Sequence, residues 1–329
     1  MSDLKYILKR SALTVLLIFF AITVLFFIFR LLPGDYVSVL AMDGADPETI
    51  ESLRAKWGLD EPLYIQYITY IENVLQGDLG MSHRYRQPVL QVTGRAIVNS
   101  FILVAPAITT AFILGSGFGT LLGTNRSEKG ELWGIVPLTF IGTFPIFFMG
   151  ILLIIVFSFW LNLFPTGGMA AVTQQGLPYS ELLTSAGFWV HYFLPFLTIV
   201  VNMLYLPALT MRTSIVEVLG QDFIDYHRAK GLKRRAQMRH VMKHASLPVI
   251  TQYPVSLSRA IGGMVVVEMV FNWPGIGYLL LQSVYQRDFP VVQFVFLLIA
   301  VWVILGNFVV DILYSSVDPR VTVEGQESN

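Results

Sequence analysis

Six long runs of apolar residues occur along the chain, separated by segments rich in glycine, proline and charged residues. A helix needs about 20 apolar residues to cross the bilayer core, which is about 30 Å thick. The run at 15–29 lacks the alternation of polar and apolar positions that a membrane barrel strand requires. The pattern therefore predicts an all-α polytopic membrane protein with six transmembrane helices. These helices are expected at residues 11–32, 97–123, 134–160, 191–211, 248–271 and 291–314.

The amino-acid composition favours the same class of protein. Of the 329 residues, 54% are hydrophobic and 13% are charged, and the formal net charge is +0. Soluble domains carry about 25% charged residues. The balanced charge argues against a nucleic-acid partner, and the absence of cysteine excludes disulfides, cysteine-ligated zinc and a thiol nucleophile. We therefore expect membrane lipid around this chain and no nucleic acid bound to it.

The basic residues predict that both termini are cytoplasmic, because lysine and arginine are retained on the cytoplasmic side of a membrane. With this orientation, the inner segments hold 14 of the 22 basic residues. The two short outer segments hold only Arg287. The first apolar run is longer than the core of a signal peptide, so we expect it to be retained as a helix.

The segments between the runs suggest three regions. In the outer segment after the first helix, Tyr64, Ile68, Ile71 and Leu75 share one helical face, which predicts a small folded cap. The predicted regions are 1–95, an N-terminal helix with an extracytoplasmic cap; 96–320, a core of five transmembrane helices with a cytoplasmic loop at 212–247; and 321–329, a cytoplasmic tail.

The cytoplasmic loop has the pattern of two short amphipathic helices. Gly231 interrupts the pattern, and glycine adopts a left-handed conformation without steric cost. Two interpretations are open: a hairpin lying on anionic headgroups, and a docking element with apolar anchors and a basic rim. The first apolar stripe is Ile215, Leu219, Phe223 and Tyr226, the second is Met238, Val241, Met242 and Ala245, and the basic face carries Arg235, Arg239 and Lys243.

Ionisable residues that lie inside apolar runs are functional candidates. Arg30 and Glu268 are near helix ends, so we expect their side chains to extend to the aqueous interface. Arg259 is deeper, close to Ser256, and a straight helix would place it half a turn out of phase with Glu268. Ser256, Arg259 and Glu268 are therefore candidates for the lining of a translocation path.

The motifs of several enzyme classes are missing. No phosphate-binding loop of the form G-x-x-x-x-G-K-[ST] and no H-E-x-x-H zinc motif occur. The nearest match to an intramembrane serine protease is Gly115-Ser116-Gly117 together with His191. Small residues in a span are, however, typical of helix packing. We therefore expect no catalytic residue, no metal and no cofactor on this chain. An ion-driven secondary transporter is the other alternative, although it would be expected to carry acidic residues near the midplane.

Short motifs recur along the chain in the order found in a known family. Together they resemble the permease subunits of binding-protein-dependent ABC transporters, and in particular the dipeptide/oligopeptide/nickel branch. Tyr226-His227 is bulkier than the small residue usual before the family's loop motif. The motifs are Leu32-Pro33-Gly34-Asp35, Gly77-Asp78-Leu79-Gly80-Met81-Ser82, Phe164-Pro165-Thr166-Gly167-Gly168, Gln221-Asp222-Phe223, Arg228-Ala229-Lys230-Gly231-Leu232, Arg239-His240, Leu247-Pro248, Glu268-Met269-Val270-Phe271-Asn272-Trp273-Pro274-Gly275-Ile276-Gly277, Arg287-Asp288-Phe289-Pro290-Val291-Val292 and Asp318-Pro319-Arg320.

This resemblance implies a type I ABC importer permease fold in the cytoplasmic membrane of a prokaryote. The implied partners are a second homologous permease, two cytoplasmic ATP-binding cassette subunits that carry ATP and Mg²⁺, and an extracytoplasmic solute-binding protein. Di- or oligopeptides are the implied cargo, with nickel complexes or oligosaccharides as alternatives. The residues implied to couple to the ATPases are Phe223, Tyr226, Arg228, Ala229, Lys230, Gly231, Leu232, Arg239 and His240.

The motif that follows the fifth predicted span is expected to form a compact outer loop. It consists of Trp273, Pro274, Gly275 and Gly277 with the residues between them. One interpretation sets this loop at the permease interface or beneath the binding protein. The other is an interfacial turn that Trp273 anchors at the headgroups.

Overall fold

The computed structural model describes residues 2–31, 46–48, 51, 54, 58, 60–125, 128–171, 173, 176–263 and 265–317. Of these residues, the side chains at 2–5, 128–131, 228, 259, 261–263 and 313–317 lie outside the description. The motifs at 32–35 and 318–320 and the predicted tail at 321–329 also lie outside it. Within the described ranges the fold is helical, and the β-pairing is limited to one antiparallel bridge between Met81 and Pro88. The all-α prediction is confirmed for this part of the chain.

A π-helix, Ile154–Trp160, directly follows the α-helix Ile146–Leu153. In chain order the helices are α1 (Ser2–Leu31), α2 (Leu63–Gln76), α3 (Val89–Thr124), α4 (Glu128–Thr143), α5 (Ile146–Leu153), α6 (Tyr179–Leu182), α7 (Ala186–Met203), α8 (Tyr205–Leu219), α9 (Asp222–Ala229), α10 (Arg234–Ala245), α11 (Leu247–Gly263), α12 (Val265–Val270), α13 (Ile276–Tyr285) and α14 (Phe289–Val317).

Four helical stretches of the described chain are long and apolar enough to cross a membrane. A fifth is obtained if the bent pair Leu132–Thr143 and Ile146–Trp160 counts as one span. The run predicted at 248–271 is helical as α11 and α12, with residue 264 outside the description. Six spans therefore stay a prediction. The four stretches are Tyr6–Leu31, Val89–Thr124, Ala186–Leu219 and Phe289–Ile312.

The third predicted span is not one continuous helix, and this expectation was wrong. α4 and the helix that begins at Ile146 meet at an angle of 101°. Pro145 causes the break, because proline lacks an N–H donor and disfavours helical geometry at the residue before it. The amide of Asn202 donates a hydrogen bond of 3.0 Å to the carbonyl of Phe144. This bond satisfies a backbone acceptor at the break.

The described residues divide into two compact units. The first comprises those within Met1–Val98 and Gly275–Phe308, and the second those within Asn99–Pro274 and Val309–Asp318. The main hydrophobic core belongs to the second unit, where α3, α7, α8, α10 and α11 contribute buried side chains. It extends into the predicted cytoplasmic loop through residues such as Ile224 and Val241.

Glycines allow α3 to approach α8 closely in the second unit. A Cβ atom at Gly119 would lie 2.2 Å from the carbonyl oxygen of Ala208, and one at Gly115 would lie 2.6 Å from that of Leu204. A Cβ at Gly117 would have nothing within 4 Å. The packing interpretation of these small residues is therefore confirmed for Gly115 and Gly119, whereas Gly117 makes no such contact with the part of the chain that the structure describes.

The two residues of the protease alternative are engaged locally. The hydroxyl of Ser116 donates to the carbonyl of Phe112 at 2.6 Å, one turn earlier in α3. Nδ1 of His191 lies 2.8 Å from the carbonyl of Gly187 in α7. Each side chain thus bonds its own helix, and no hydrogen bond between Ser116 and His191 is found in the described part of the chain.

In the first unit, α2 packs on α1 through tyrosines. The Phe26 ring lies 5.2 Å from the Tyr67 ring and 5.5 Å from the Tyr70 ring. The hydroxyls of Thr23 and Tyr67 are 2.6 Å apart. Burial raises the pKa of Tyr70 to about 12, so its hydroxyl stays neutral at physiological pH.

The predicted apolar face of α2 is not the face that packs on α1. Tyr64 is 67% exposed, Ile68 53% and Leu75 79%. The helix itself was predicted correctly, but α1 presents Phe26 to Tyr67 and Tyr70, and the edge-to-face contact between Phe26 and Tyr67 favours that pairing.

Candidate functional site

Two short helices of the second unit form the candidate docking segment, residues 222–245. α9 buries Ile224, which is 1% exposed, and α10 buries Val241 and Ala245, which are both 0% exposed. These side chains belong to the same core as Ile215 of α8. The two predicted amphipathic helices are therefore present, and both are attached to the long helix α7–α8 by a continuous apolar core.

The predicted first stripe is correct at three of its four positions. Ile215 is buried, and Leu219 and Phe223 pack against the core. Tyr226 instead faces outward, with 58% of its surface exposed. The buried residue of α9 is Ile224, which the sequence pattern missed because the helix ends at Leu219 and restarts at Asp222, and a break shifts the helical period.

A left-handed turn at Gly231 joins α9 to α10. Its φ angle is 71°, and the N–H of Leu232 donates to the carbonyl of His227 at 3.2 Å. This is the Schellman arrangement, which satisfies carbonyl groups at the end of a helix. The side-chain amide of Gln237 donates to the carbonyl of Leu232 at 2.8 Å, which closes the turn from the other side. A Cβ at Gly231 would meet nothing within 4 Å, so conformation rather than space requires glycine there.

The exposed face of the docking segment has an aromatic centre. The Lys230 ammonium lies 4.3 Å from the centre of the Tyr226 ring, within the range of a cation–π contact. Of the other candidate coupling residues, Phe223 and Leu232 are half-buried, and the side chain of Arg228 lies outside the description. The exposed ones are Ala229, Lys230, Gly231, Arg239 and His240.

Phe223 and three histidines form a cluster of ring contacts at the junction of α9 and α10. The Phe223 ring centre is 5.5 Å from those of His227 and His244, and the His227 and His240 rings are 4.9 Å apart. Nδ1 of His227 is buried without a hydrogen-bond partner among the described residues. No group of three or more histidine, aspartate or glutamate side chains in the described ranges could hold a metal ion. The Phe223–His244 and His227–His240 ring contacts pack α9 against α10.

Charges at the helix ends favour the same pair of helices. Asp222 and Asp225 lie in the first turn of α9, and Lys243 and His244 lie in the last turn of α10. Carboxylates at the N-terminus and cations at the C-terminus each stabilise a helix by about 0.3–1 kcal/mol. The acidic start of α9 and the basic end of α10 are therefore favourable, whereas Lys233, Arg234 and Arg235 place cations at the unfavourable N-terminus of α10.

Glu268 is the best-defined polar group in the predicted membrane region. Its side chain is 1% exposed and accepts a hydrogen bond from the Ser100 hydroxyl. The expectation that Glu268 extends to the aqueous interface was therefore wrong, because a neighbouring helix supplies a donor inside the protein. Ser256 is half-buried, and the side chain of Arg259 lies outside the description, so the lining of the path stays a prediction.

Arg30 is placed near the end of α1, as expected. Its guanidinium carbon lies 5.6 Å from the centre of the Phe26 ring, one turn earlier in the same helix. A cation over an aromatic face is stabilised by the ring quadrupole. Arg30 therefore belongs to the aromatic contact between α1 and α2 in the first unit.

The tryptophan of the predicted outer loop is buried. Trp273 is 0% exposed, and its indole N–H donates to the carbonyl of Asn99 at 2.9 Å. The Asn99 amide donates to the carbonyl of Pro274 at 2.8 Å and accepts from the Tyr179 hydroxyl at 2.7 Å. The alternative in which Trp273 anchors a turn at the headgroups is therefore wrong. Gly275, which precedes α13, and Gly277, in its first turn, are also buried.

Asp288 is a structural anchor of the first unit that the sequence analysis did not single out. Its carboxylate is 0% exposed and accepts hydrogen bonds from the Ser82 hydroxyl at 2.5 Å and from the N–H groups of His83 and Arg84, both at 3.2 Å. The available signal was its position just before the last apolar run, where aspartate is a preferred N-cap.

Comparison with known proteins identifies relatives over nearly the whole chain. Residues 111–323 match the family model described as binding-protein-dependent transport system inner membrane component. Residues 3–103 match the model for the N-terminal part of the same kind of membrane component. The glutathione transport system permease protein GsiC of Escherichia coli strain K12 is 36% identical over 320 residues, which cover 97% of this chain and 99% of the relative. The protein of that name in Shigella flexneri serotype 5b is 35% identical over the same lengths.

Proposed function

Because this chain belongs to the family of binding-protein-dependent transport system inner membrane components, we propose that it forms half of the translocation path of an ATP-driven importer. It is a permease subunit of the dipeptide/oligopeptide branch of ABC transporters. In this role it carries substrate through the membrane while separate subunits hydrolyse ATP.

The proposed architecture is the type I importer fold with six transmembrane helices and both termini in the cytoplasm. The four or five apolar stretches support it, together with α11 and α12 in the remaining run. The distribution of basic residues supports the orientation. We retain the division into an N-terminal helix with its cap at 1–95, a core at 96–320 and a tail at 321–329. The proposed location is the cytoplasmic membrane of a prokaryote.

The docking segment is the proposed site of coupling to the ATPases. The observation that carries this proposal is the exposed Tyr226, in contact with the exposed Lys230, on two helices that share a core with α8. An aromatic anchor with a polar rim is typical of protein interfaces. Because the segment is packed on α8, a displacement of the docked ATPase would be transmitted to the helix α7–α8. ATP then shifts the transporter between states, since its binding energy differs between them.

The proposed complex contains a second homologous permease, two ATP-binding cassette subunits and an extracytoplasmic solute-binding protein. ATP and Mg²⁺ bind to the ATPase subunits, and this chain contributes no catalytic residue and no cofactor site. The family's description, which names a binding protein and an inner membrane component, supports this division of labour.

The proposed substrate is a small peptide. Relatives that share 36% identity over almost their whole length carry the name of glutathione transport permeases, and glutathione is a tripeptide. Nickel complexes and oligosaccharides are less favoured, because no relative reported above is named for them. Ser256, Arg259 and Glu268 are the proposed path residues, with Arg259 as the partner of a substrate carboxylate.

Replacing Gly231 tests the coupling proposal. Valine at a φ of 71° is strained by about 1–2 kcal/mol, so the turn should shift and Gly231→Val should abolish substrate-stimulated ATP hydrolysis in the reconstituted complex. Gly231→Asn should retain the stimulation, because asparagine tolerates the left-handed conformation. ATP hydrolysis and substrate uptake are measured on the same proteoliposomes.

A matched control is Gly77→Val. Gly77 has a φ of 77° with nothing within 4 Å of its Cβ, so the strain is similar but lies outside the docking segment. This variant should keep its coupling. Normal stimulation in Gly231→Val would rule out a coupling role for this turn.

A further inference from the structure

The first unit carries an exposed basic turn, which we define as Arg84, Tyr85, Arg86 and Arg287. Residues 84–86 lie in the tight turn after Ser82, and Arg287 directly precedes Asp288. The buried Asp288 carboxylate joins the two segments, because it accepts hydrogen bonds from Ser82, His83 and Arg84. Arg84 and Arg86 are thereby presented from one small region together with Arg287, which is distant from them in sequence.

Hydrogen bonds make this turn rigid. The N–H of Ser82 donates to the carbonyl of Gln87 at 2.9 Å, and the N–H of Arg86 donates to the carbonyl of Ser82 at 3.0 Å. The Ser82 hydroxyl accepts from the N–H of Tyr85 at 3.0 Å while it donates to Asp288. A bridge between Met81 and Pro88 closes the base of the turn. The arginine backbones are therefore held at fixed positions.

Two of the arginines occupy a backbone conformation that non-glycine residues rarely adopt. The φ angle is 51° at Arg86 and 56° at Arg287. Left-handed residues with a side chain are strained, and they persist where the surrounding structure determines them. Glycine or asparagine would meet the conformational requirement with less strain. Strained positions of this kind cluster at functional sites.

The charge of the basic turn is not neutralised within the described residues. No ion pair there includes Arg84, Arg86 or Arg287, and the nearby Asp288 is fully buried and engaged by its three donors. Tyr85 is 45% exposed, and Tyr285, close to Arg287 along the chain, is 77% exposed. Arginine and tyrosine are the residues that dominate binding energy at protein interfaces.

We propose that this basic turn is a docking surface for an acidic patch on the extracytoplasmic solute-binding protein. The inference rests on the proposed function, which places these residues on the outer side of the membrane. A folded protein is favoured over anionic headgroups because the turn fixes the positions of its arginines, whereas mobile headgroups require no fixed positions. Complementary charge would guide the encounter and select the partner.

The test uses a triple variant that removes charge and keeps the backbone. Arg84→Gln, Arg86→Asn and Arg287→Asn are combined, because asparagine tolerates the left-handed conformation at the last two positions. The complete transporter is placed in phosphatidylcholine nanodiscs, and its affinity for the purified solute-binding protein is measured at several salt concentrations. The variant should raise the Kd by about tenfold or more at low salt, because steering by charge is lost. Its salt dependence should fall as well.

Two controls separate charge from folding. The triple Arg→Lys variant at the same positions should keep most of the affinity, and Lys9→Gln, at the opposite end of α1 from Arg30, should leave the Kd unchanged. ATP hydrolysis without binding protein should be normal in all three variants. A charge swap identifies the paired surface directly. In this experiment, arginines 84, 86 and 287 are changed to glutamate and acidic residues of the binding protein are changed to lysine, and the affinity should be restored.

The possible results discriminate clearly. An unchanged Kd in the charge-removed variant, with a wild-type complex that the binding protein stimulates, overturns the docking surface alone. If the charge-removed variant binds the binding protein with unchanged affinity but binds phosphatidylglycerol vesicles more weakly, the turn is a lipid-binding site. This result also overturns the docking surface. A wild-type complex that no binding protein stimulates contradicts the proposed function itself, and this surface with it.

Discussion

At the residue scale, two buried serines show that a hydrogen-bond partner decides how much a polar side chain contributes to stability. Ser100 is 4% exposed and donates to Glu268, while Ser258 is 3% exposed and its hydroxyl has no hydrogen-bond partner in the described ranges. Removing one member of a buried hydrogen bond leaves the other unsatisfied, at a cost of about 1–3 kcal/mol. A hydroxyl without a partner contributes no such bond, so its loss leaves no unsatisfied group behind.

We expect Ser100→Ala to lower the free energy of unfolding by about 1–3 kcal/mol, because the Glu268 carboxylate loses a donor. Ser258→Ala should leave stability unchanged or raise it slightly. Thermal unfolding of the purified chain in one detergent measures both variants under the same conditions. Equal destabilisation by the two substitutions would show that the Ser100–Glu268 hydrogen bond makes no particular contribution to the free energy of unfolding.

The sequence identified Glu268 as a candidate but not its environment. A carboxylate near the end of an apolar run is expected to extend to water. Only the tertiary structure places the Ser100 hydroxyl against Glu268. One of the two interpretations of Trp273, the interfacial turn, failed for the same reason, since its acceptor, the carbonyl of Asn99, lies 174 residues away. Partners that are distant in sequence leave no trace in local periodicity.

At the element scale, the close approach of α3 and α8 depends on which glycines face the partner helix. Gly119 faces backbone, with the Ala208 carbonyl oxygen 2.2 Å from the position of a Cβ, whereas Gly117 faces open space. Backbone atoms cannot rotate away as a flexible side chain can. The two positions in the same helix therefore form a matched pair for mutation.

Gly119→Ala should lower the melting temperature and the yield of assembled permease, because overpacking costs about 1–3 kcal/mol. Gly117→Ala should be neutral or stabilising, since alanine is favoured over glycine in a helix by about 1 kcal/mol. Thermal unfolding and size-exclusion profiles of the two variants check this. Similar behaviour of the pair would show that α3 and α8 are not in such close contact.

Helix type and position were largely predictable from apolar runs, whereas breaks were not. The pair α9 and α10 followed from amphipathic spacing and from Gly231, whose φ of 71° meets the expected need for glycine. The break at Pro145 was visible as a proline inside an apolar run. Its angle of 101° was not, because it depends on how α4 and α5 pack on α7.

At the scale of the whole molecule, the chain combines long apolar helices with the docking segment, whose buried side chains belong to the core of the second unit. The first candidate span, Tyr6–Leu31, is only 6% buried within the protein, whereas Val89–Thr124 and Ala186–Leu219 are each 44% buried. The docking segment is packed on the second of these buried spans through Ile224 and Val241. A force applied at the segment is therefore applied to the core of the permease.

Contact between the docking segment and an ATPase is the central claim, and site-specific cross-linking tests it most directly. The natural chain has no cysteine, so Ala229→Cys and Tyr285→Cys each introduce a single exposed site for a photoreactive maleimide. In the assembled, transporting complex, the label at 229 should cross-link to a nucleotide-hydrolysing subunit, and the label at 285 should not. An active complex in which position 229 yields no cross-link to an ATPase would contradict the account.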